Sequence, residues 1–135
     1  MVKSILGVVA GAVMWTIVFF ALAQGLALVW SDYAVHGRQW MREGVFTFTA
    51  AMAGCNLVFW VLAEIAGGWT AAKISRRQGA VWALAGLIGI YLAALHLVLS
   101  WPRFPWWYNL GVVIPAVPAV WLGGRLARAP GAKGV

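Results

Sequence analysis

The stretch Ser4–Ser31, SILGVVAGAVMWTIVFFALAQGLALVWS, contains no Asp, Glu, Lys or Arg. A helix needs about 20 apolar residues to cross a hydrocarbon core of about 30 Å, so this stretch is long enough to span a membrane. Lys3 and the segment Ala21–Ala23 resemble the start and the cleavage site of a signal peptide. The apolar run continues to Trp30, however, and we therefore expect the segment to be retained as a first transmembrane helix.

The rest of the chain repeats this pattern, because residues 44–63, 79–102 and 104–124 also lack Asp, Glu, Lys and Arg. Of all residues, 64% are hydrophobic and 10% are charged, whereas soluble domains carry roughly 45–50% and 25%. The alternating segments of about 10 residues that form a membrane β-barrel are absent. The sequence predicts an all-α polytopic membrane protein, a single antiparallel four-helix transmembrane domain over residues 1–135. Its helices are expected at approximately 3–30, 45–74, 79–100 and 108–126.

The basic residues predict the orientation of this bundle. One side of the topology carries Lys3, Lys73, Arg76, Arg77, Arg125, Arg128 and Lys133, and the other carries Arg38, Arg42 and Arg103. Lys and Arg concentrate in short cytoplasmic loops, so both termini are expected in the cytoplasm. The net charge of +7 is therefore mostly a sign of topology, and it also favours contact with anionic headgroups of the lipid bilayer. Nucleic-acid binding is not expected, since no separate basic domain exists.

Residues 31–44 form the most polar connection. Tyr33, Trp40 and Met41 alternate with charged residues there. This mixture predicts a short segment that lies in the headgroup region.

Small residues recur at positions where helices could pack closely. Glycine lets two backbones approach, as in small-xxx-small pairs. The predicted helix-packing residues are Gly7, Gly11, Gly67, Gly68, Gly86, Gly123 and Gly124. Such faces favour self-association or contact with other membrane-protein subunits.

Two stretches resemble a known group of proteins. Gly67–Arg77 (GGWTAAKISRR) and Pro115–Arg128 (PAVPAVWLGGRLAR) are similar to the corresponding parts of small four-helix inner-membrane proteins of bacteria. The resemblance covers nearly the whole chain in layout, but only these two stretches match in residues. It implies a four-helix fold in the bacterial inner (plasma) membrane, and it implies no chemistry because that family has no established activity.

Glu64 is the only carboxylate inside a predicted span, and intramembrane ionisable groups are candidates for function. By depth, Arg125 of the fourth predicted helix can reach it, which predicts an ion pair between two helices. The alternative is a protonatable carboxyl group that binds a cation or a proton.

His96 lies near the end of the third predicted helix, at a depth similar to that of Gln24. A hydrogen bond between the two side chains is one expectation. The alternatives are an axial ligand to haem or chlorophyll, or a metal site shared with His36 and Asp32.

The sequence contains no pattern typical of catalysis, so an enzyme is not expected, nor is a cofactor or a bound metal. The prediction is a non-enzymatic accessory or assembly subunit that packs against other membrane proteins. The alternatives are a small oligomeric transporter or channel that uses Glu64, and a haem- or pigment-binding subunit that uses His96.

Overall fold

The computed structural model describes residues 1–128, and Lys133, which contributes to the charge asymmetry, lies outside them. Within this range the chain forms five α-helices and no β-strand. The helices are α1 (Val2–Val29), α2 (Ser31–Glu43), α3 (Ala50–Ser75), α4 (Gln78–Ala93) and α5 (Trp106–Leu126). A π-helical segment, Ala94–Leu99, continues directly from α4.

Four helical stretches are long and apolar enough to cross a membrane. They are α1, α3, α4 with the π segment, and α5, with 28, 26, 22 and 21 residues. The prediction of an all-α chain with four candidate spans is therefore confirmed, as expected of a multi-pass membrane protein.

The second predicted span starts too early. The sequence predicts a start near residue 45, whereas α3 begins at Ala50. Thr49 caps the helix, because its hydroxyl oxygen accepts a hydrogen bond from the Met52 backbone N–H at 3.3 Å. A residue that caps a helix in this way adopts extended backbone angles, and Thr49 does so. Residues 44–49 are not helical, and they include the ring-bearing Phe46 and Phe48.

The polar connection is itself a helix. In α2, Asp32 lies in the first turn and Arg42 in the last, which matches the helix dipole at both ends. Gly44 ends the helix with φ = 65°, a left-handed conformation that glycine adopts without strain. Tyr33 is the buried residue of this helix and attaches it to the bundle.

Glycines of α3 allow its backbone to pack closely against α1 and α5. A Cβ on Gly67 would meet the carbonyl oxygen of Gly11 at 2.9 Å, and one on Gly68 would collide with the backbone of Val120. Backbones that approach this closely gain packing contacts that larger residues would prevent.

The remaining predicted packing glycines divide into two groups. Gly7 lies against Ser75, Gly123 against Ile65 and Gly124 against Val81. Gly86 differs, because a Cβ there would meet no atom within 4 Å among the described residues, and the glycine is exposed. Its predicted packing role is not realised inside this part of the chain.

Candidate ligand-binding cavity

A cavity of about 540 Å³ lies between the second half of α1, α2, the start of α3, the π segment and the start of α5. This size falls within the roughly 300–1,000 Å³ of typical small-molecule sites. Most of its wall is apolar and much of it is aromatic. The Phe, Trp and Tyr residues that line it are Trp15, Phe19, Phe20, Tyr33, Trp40, Phe46, Phe48, Trp60, Tyr91, Phe104 and Tyr108.

The charged residues that line the cavity all have the same sign. They are Arg38, Arg42 and Arg103, and no carboxylate lies among the lining residues. Arg38 and Arg42 are four residues apart on α2 and so share one face of the helix. All three arginines are exposed, and like charges beside low-dielectric walls favour the approach of anions.

Tyr33 fixes α2 over the cavity. Its hydroxyl donates a hydrogen bond to Oδ1 of Asn56 on α3, and both side chains are buried. Burial raises the pKa of the Tyr33 hydroxyl to about 12, so it stays neutral and remains a donor across the physiological range.

The inner wall of the cavity is a continuous group of rings. Phe19 stacks on Trp60 with 4.0 Å between ring centroids, and Trp15 lies 5.7 Å from Trp60. The imidazole of His96 stands perpendicular to Trp60, at 88° and 6.2 Å. These four side chains come from α1, α3 and the π segment, so the cavity wall joins separate elements.

The hydrogen bonds around His96 define its tautomer. The side-chain amide of Asn109 donates from Nδ2 to the Phe104 carbonyl oxygen at 3.3 Å, which leaves Oδ1 facing Nδ1 of His96 at 3.0 Å. Oδ1 only accepts, so Nδ1 of His96 must carry the proton and donate it. In the neutral ring Nε2 then carries a lone pair. Asn109, not Gln24, is therefore the partner of His96, and the predicted Gln24–His96 bond is wrong; Gln24 is exposed and lines the cavity.

Three buried nitrogen atoms of the wall lack a hydrogen-bond partner within residues 1–128. They are Nε1 of Trp15, Nε1 of Trp60 and Nε2 of His96. Buried polar atoms are nearly always paired in folded proteins, so three unpaired ones among the cavity-lining residues are unusual.

Glu64 does not pair with Arg125. The carboxyl group is fully buried, and neither oxygen has a hydrogen-bond partner in the described chain. The Arg125 guanidinium is exposed and lies 4.9 Å from the ring of Trp121 instead. The predicted ion pair is therefore wrong: Arg125 lies against the aromatic ring of Trp121 on its own helix, a favourable cation–π contact.

The predicted metal site of His36, Asp32 and His96 is also not formed. Nδ1 of His36 lies 2.8 Å from the Thr47 hydroxyl, and His36 does not line the cavity. Among residues 1–128, no three His, Cys, Asp or Glu side chains come together.

The sequence alone did not reveal this cavity. Sequence reasoning gives no site role to Asn109, Tyr33 or the three arginines, although the i, i+4 spacing of Arg38 and Arg42 next to aromatic residues is a usable signal.

No protein-family model, curated protein or solved structure matches the chain.

Proposed function

We propose that the chain is a non-enzymatic integral membrane protein that binds an amphipathic anion in the cavity. The observation that carries this proposal is the composition of the wall: aromatic and apolar inside, with Arg38, Arg42 and Arg103 as its charged residues. An apolar body that comes from lipid gains close packing against the rings of the wall, and an acidic group gains charge-assisted hydrogen bonds from guanidinium.

Thr16 and Phe20 of α1 and Tyr91 of α4 line the cavity and are exposed. These residues belong to candidate membrane spans, so a lipid-soluble molecule can enter sideways from the bilayer while its anionic end stays with the arginines.

In this proposal the protein lies in the inner membrane of a bacterium, as an antiparallel bundle with both termini in the cytoplasm. The rule that Lys and Arg concentrate in cytoplasmic loops supports this orientation. The cavity then opens near the outer surface, and a cysteine introduced at Arg42 should react with an impermeant thiol reagent in intact cells, whereas one introduced at Arg76 should not.

Binding is tested with purified protein in mild detergent and a fluorescent long-chain fatty acid, compared with the fatty alcohol of the same length. We expect the acid to bind at least tenfold more tightly, and Arg38→Gln combined with Arg42→Gln and Arg103→Gln to remove that preference. A tenfold change corresponds to about 1.4 kcal/mol, which one charge-assisted bond can supply. Arg76→Gln is the matched control, because Arg76 is exposed and does not line the cavity. Equal binding of acid and alcohol would reject the proposal.

A second candidate is the small oligomeric transporter or channel that uses Glu64. It is favoured by the burial of that carboxyl group without a partner among residues 1–128. A buried charge without a partner is costly, so Glu64 is expected to be neutral in this conformation and to release its proton only when water or a cation reaches it. Proton-coupled uptake into liposomes that disappears in Glu64→Gln would place this function first.

The accessory role remains a third proposal. It is supported by α1, in which only 11% of the span is buried, against 33–39% in the other three. Most of its surface thus faces lipid or a partner subunit. Recovery of a larger complex with fixed stoichiometry from mild detergent would support it, and a monomer would count against it.

A further inference from the structure

We infer that the anionic end of the ligand is a phosphate monoester carried by a membrane lipid, and that Arg38, Arg42 and Arg103 bind its terminal oxygens. This inference rests on the proposed binding function, because it names the acidic group that the same cavity takes. It is carried by the number of arginines, by their position around the end of α2 and by the apolar wall beside them.

The three arginines gather around the last turns of α2. Arg38 and Arg42 are one helical turn apart, and both line the cavity. Arg103 comes from the connection between the π segment and α5, and its Nη1 atom would lie 3.3 Å from a Cβ built on Gly44, the residue that ends α2. Glycine at this position thus leaves room for the guanidinium group. Separate elements therefore bring positive charges to the same end of the cavity.

The acidic side chains of the chain lie outside the cavity lining. There are three of them, Asp32, Glu43 and Glu64. Glu43 accepts a hydrogen bond from the Gln39 side chain at 3.2 Å, and Glu64 is fully buried within α3. The lining residues of the described chain therefore carry three guanidinium groups and no carboxylate.

Three guanidinium groups match a phosphate monoester better than a carboxylate. A phosphate monoester carries a charge of about −1.5 to −2 at pH 7 and offers three terminal acceptor oxygens. A carboxylate carries one charge on two oxygens, and a single guanidinium can already bind both through parallel hydrogen bonds. A fatty acid would thus leave the charges of the other arginines uncompensated, whereas a phosphate monoester can bind more than one guanidinium at once.

The wall requires an apolar body attached to that phosphate. Most of the lining is apolar, and Phe19 stacked on Trp60 at 4.0 Å belongs to it. Thr16, Phe20 and Tyr91 line the cavity, are exposed and lie on candidate membrane spans. A hydrocarbon chain gains packing contacts with such a wall, whereas a free phosphate ion gains none. A lipid therefore fits the cavity better than a soluble phosphate compound.

The test is a titration of the purified full chain in mild detergent with a fluorescent long-chain alkyl phosphate at pH 8. The fatty acid, the fatty alcohol and the alkyl sulfate of the same chain length are the comparisons. We expect the alkyl phosphate to bind about tenfold more tightly than the fatty acid, a difference that one further charge-assisted hydrogen bond can supply. Inorganic phosphate at the concentration of the alkyl phosphate should not displace it.

Substitutions test the arginines. Arg42→Gln and Arg103→Gln should each lose most of the preference for the alkyl phosphate over the fatty acid, because each leaves one guanidinium fewer for the terminal oxygens. Arg76→Gln should keep the full preference, since Arg76 is exposed and lies outside the cavity lining. If a variant fails to fold, the comparison of ligands on the wild-type chain decides alone.

The pH dependence separates charge from shape. The second pKa of a phosphate monoester is about 6, so the alkyl phosphate should bind several-fold more weakly at pH 5 than at pH 8. The alkyl sulfate has three terminal oxygens and keeps one charge throughout, so it corrects for titration of the protein. Besides the arginines, the titratable side chains that line the cavity are His96, Tyr33, Tyr91 and Tyr108.

The outcomes distinguish this inference from the proposed function. Equal affinity for the alkyl phosphate and the fatty acid would overturn the inference, while tighter binding of both acids than of the alcohol would keep the cavity an anion site. Displacement by inorganic phosphate would overturn the assignment to a lipid. If neither acid binds more tightly than the alcohol, the proposed function and this inference both fail.

Discussion

The two halves of this bundle are built from opposite kinds of side chain. In one half, Gly11, Gly67, Gly68 and Gly123 bring the backbones of α1, α3 and α5 into contact. In the other half, rings such as Trp60 and Phe104 separate the same elements and enclose about 540 Å³. Packing without gaps makes one half rigid, whereas large planar side chains that cannot fill every gap leave space for a ligand in the other.

The difference supports the proposed binding function, because close packing in one half leaves the other half free to enclose a cavity. Without a hydrophobic driving force in lipid, helices associate mainly through close packing and interhelical hydrogen bonds. The glycine half supplies that association, so the ring half does not have to be filled. Four predictions follow this division, from the largest effect to the smallest.

Gly68→Ala should be the most damaging change. Its Cβ would collide with the backbone of Val120, which cannot move aside as a flexible side chain can. We expect a loss of about 3 kcal/mol or more in the free energy of unfolding. Unfolding in mixed micelles measures it.

Gly86→Ala is the control for that loss. A Cβ there has open space, and alanine favours helix by about 1 kcal/mol, so stability should stay the same or rise. Equal losses at the two positions would show that the glycines matter through chain flexibility and not through contact.

Asn109→Leu tests whether the ring half depends on hydrogen bonds. The substitution leaves Nδ1–H of His96 buried without an acceptor, at a cost of about 2 kcal/mol in the free energy of unfolding. Gln24→Leu, at an exposed position, should change stability by less than about 0.5 kcal/mol. Comparing the free energies of unfolding of these two variants shows whether Asn109 or Gln24 is the hydrogen-bond partner of His96.

Tyr33 should make the attachment of α2 sensitive to alkali. Its pKa is raised from 10.0 to about 12 in the folded chain, so the unfolded chain loses the proton first as pH rises. Because the folded state then binds more protons, stability should fall between pH 10 and 12. Tyr33→Phe should be less stable at neutral pH and show a shallower decline, measured by thermal unfolding across this pH range.

The smallest effect is expected between Glu64 and Arg125. Since the two side chains do not pair, a double-mutant cycle of Glu64→Gln and Arg125→Gln should give a coupling energy below about 0.5 kcal/mol. Coupling above about 1 kcal/mol would show that Glu64 and Arg125 form a structural ion pair in the membrane.

The sequence predicted the parts of this molecule that depend on one segment at a time. Uncharged stretches of sufficient length identified four candidate spans, since length and hydropathy are properties of a single helix. Glycine spacing identified the close contacts of Gly11 and Gly67 but also suggested Gly86, because spacing does not reveal which helix face has a neighbour.

The cavity was beyond that kind of inference. Its wall joins residues from positions 15 to 108, and the state of His96 depends on Asn109, thirteen residues further along the chain and on another helix. The sequence predicts Gln24 and Arg125 as partners from depth alone. Depth fixes height in the membrane, whereas pairing also requires the two side chains to point toward each other.

The wide turn at Ala94–Leu99 gives the chain a place that tolerates a change of length. A π turn holds one residue more than an α turn, whereas a residue removed from a regular α-helix rotates everything that follows by about 100°. Deleting one residue within this stretch would let the segment relax into regular α-helix and leave the following residues facing the same way, because the wide turn already absorbs one extra residue. The same deletion in the regular part of α4 would rotate every residue that follows.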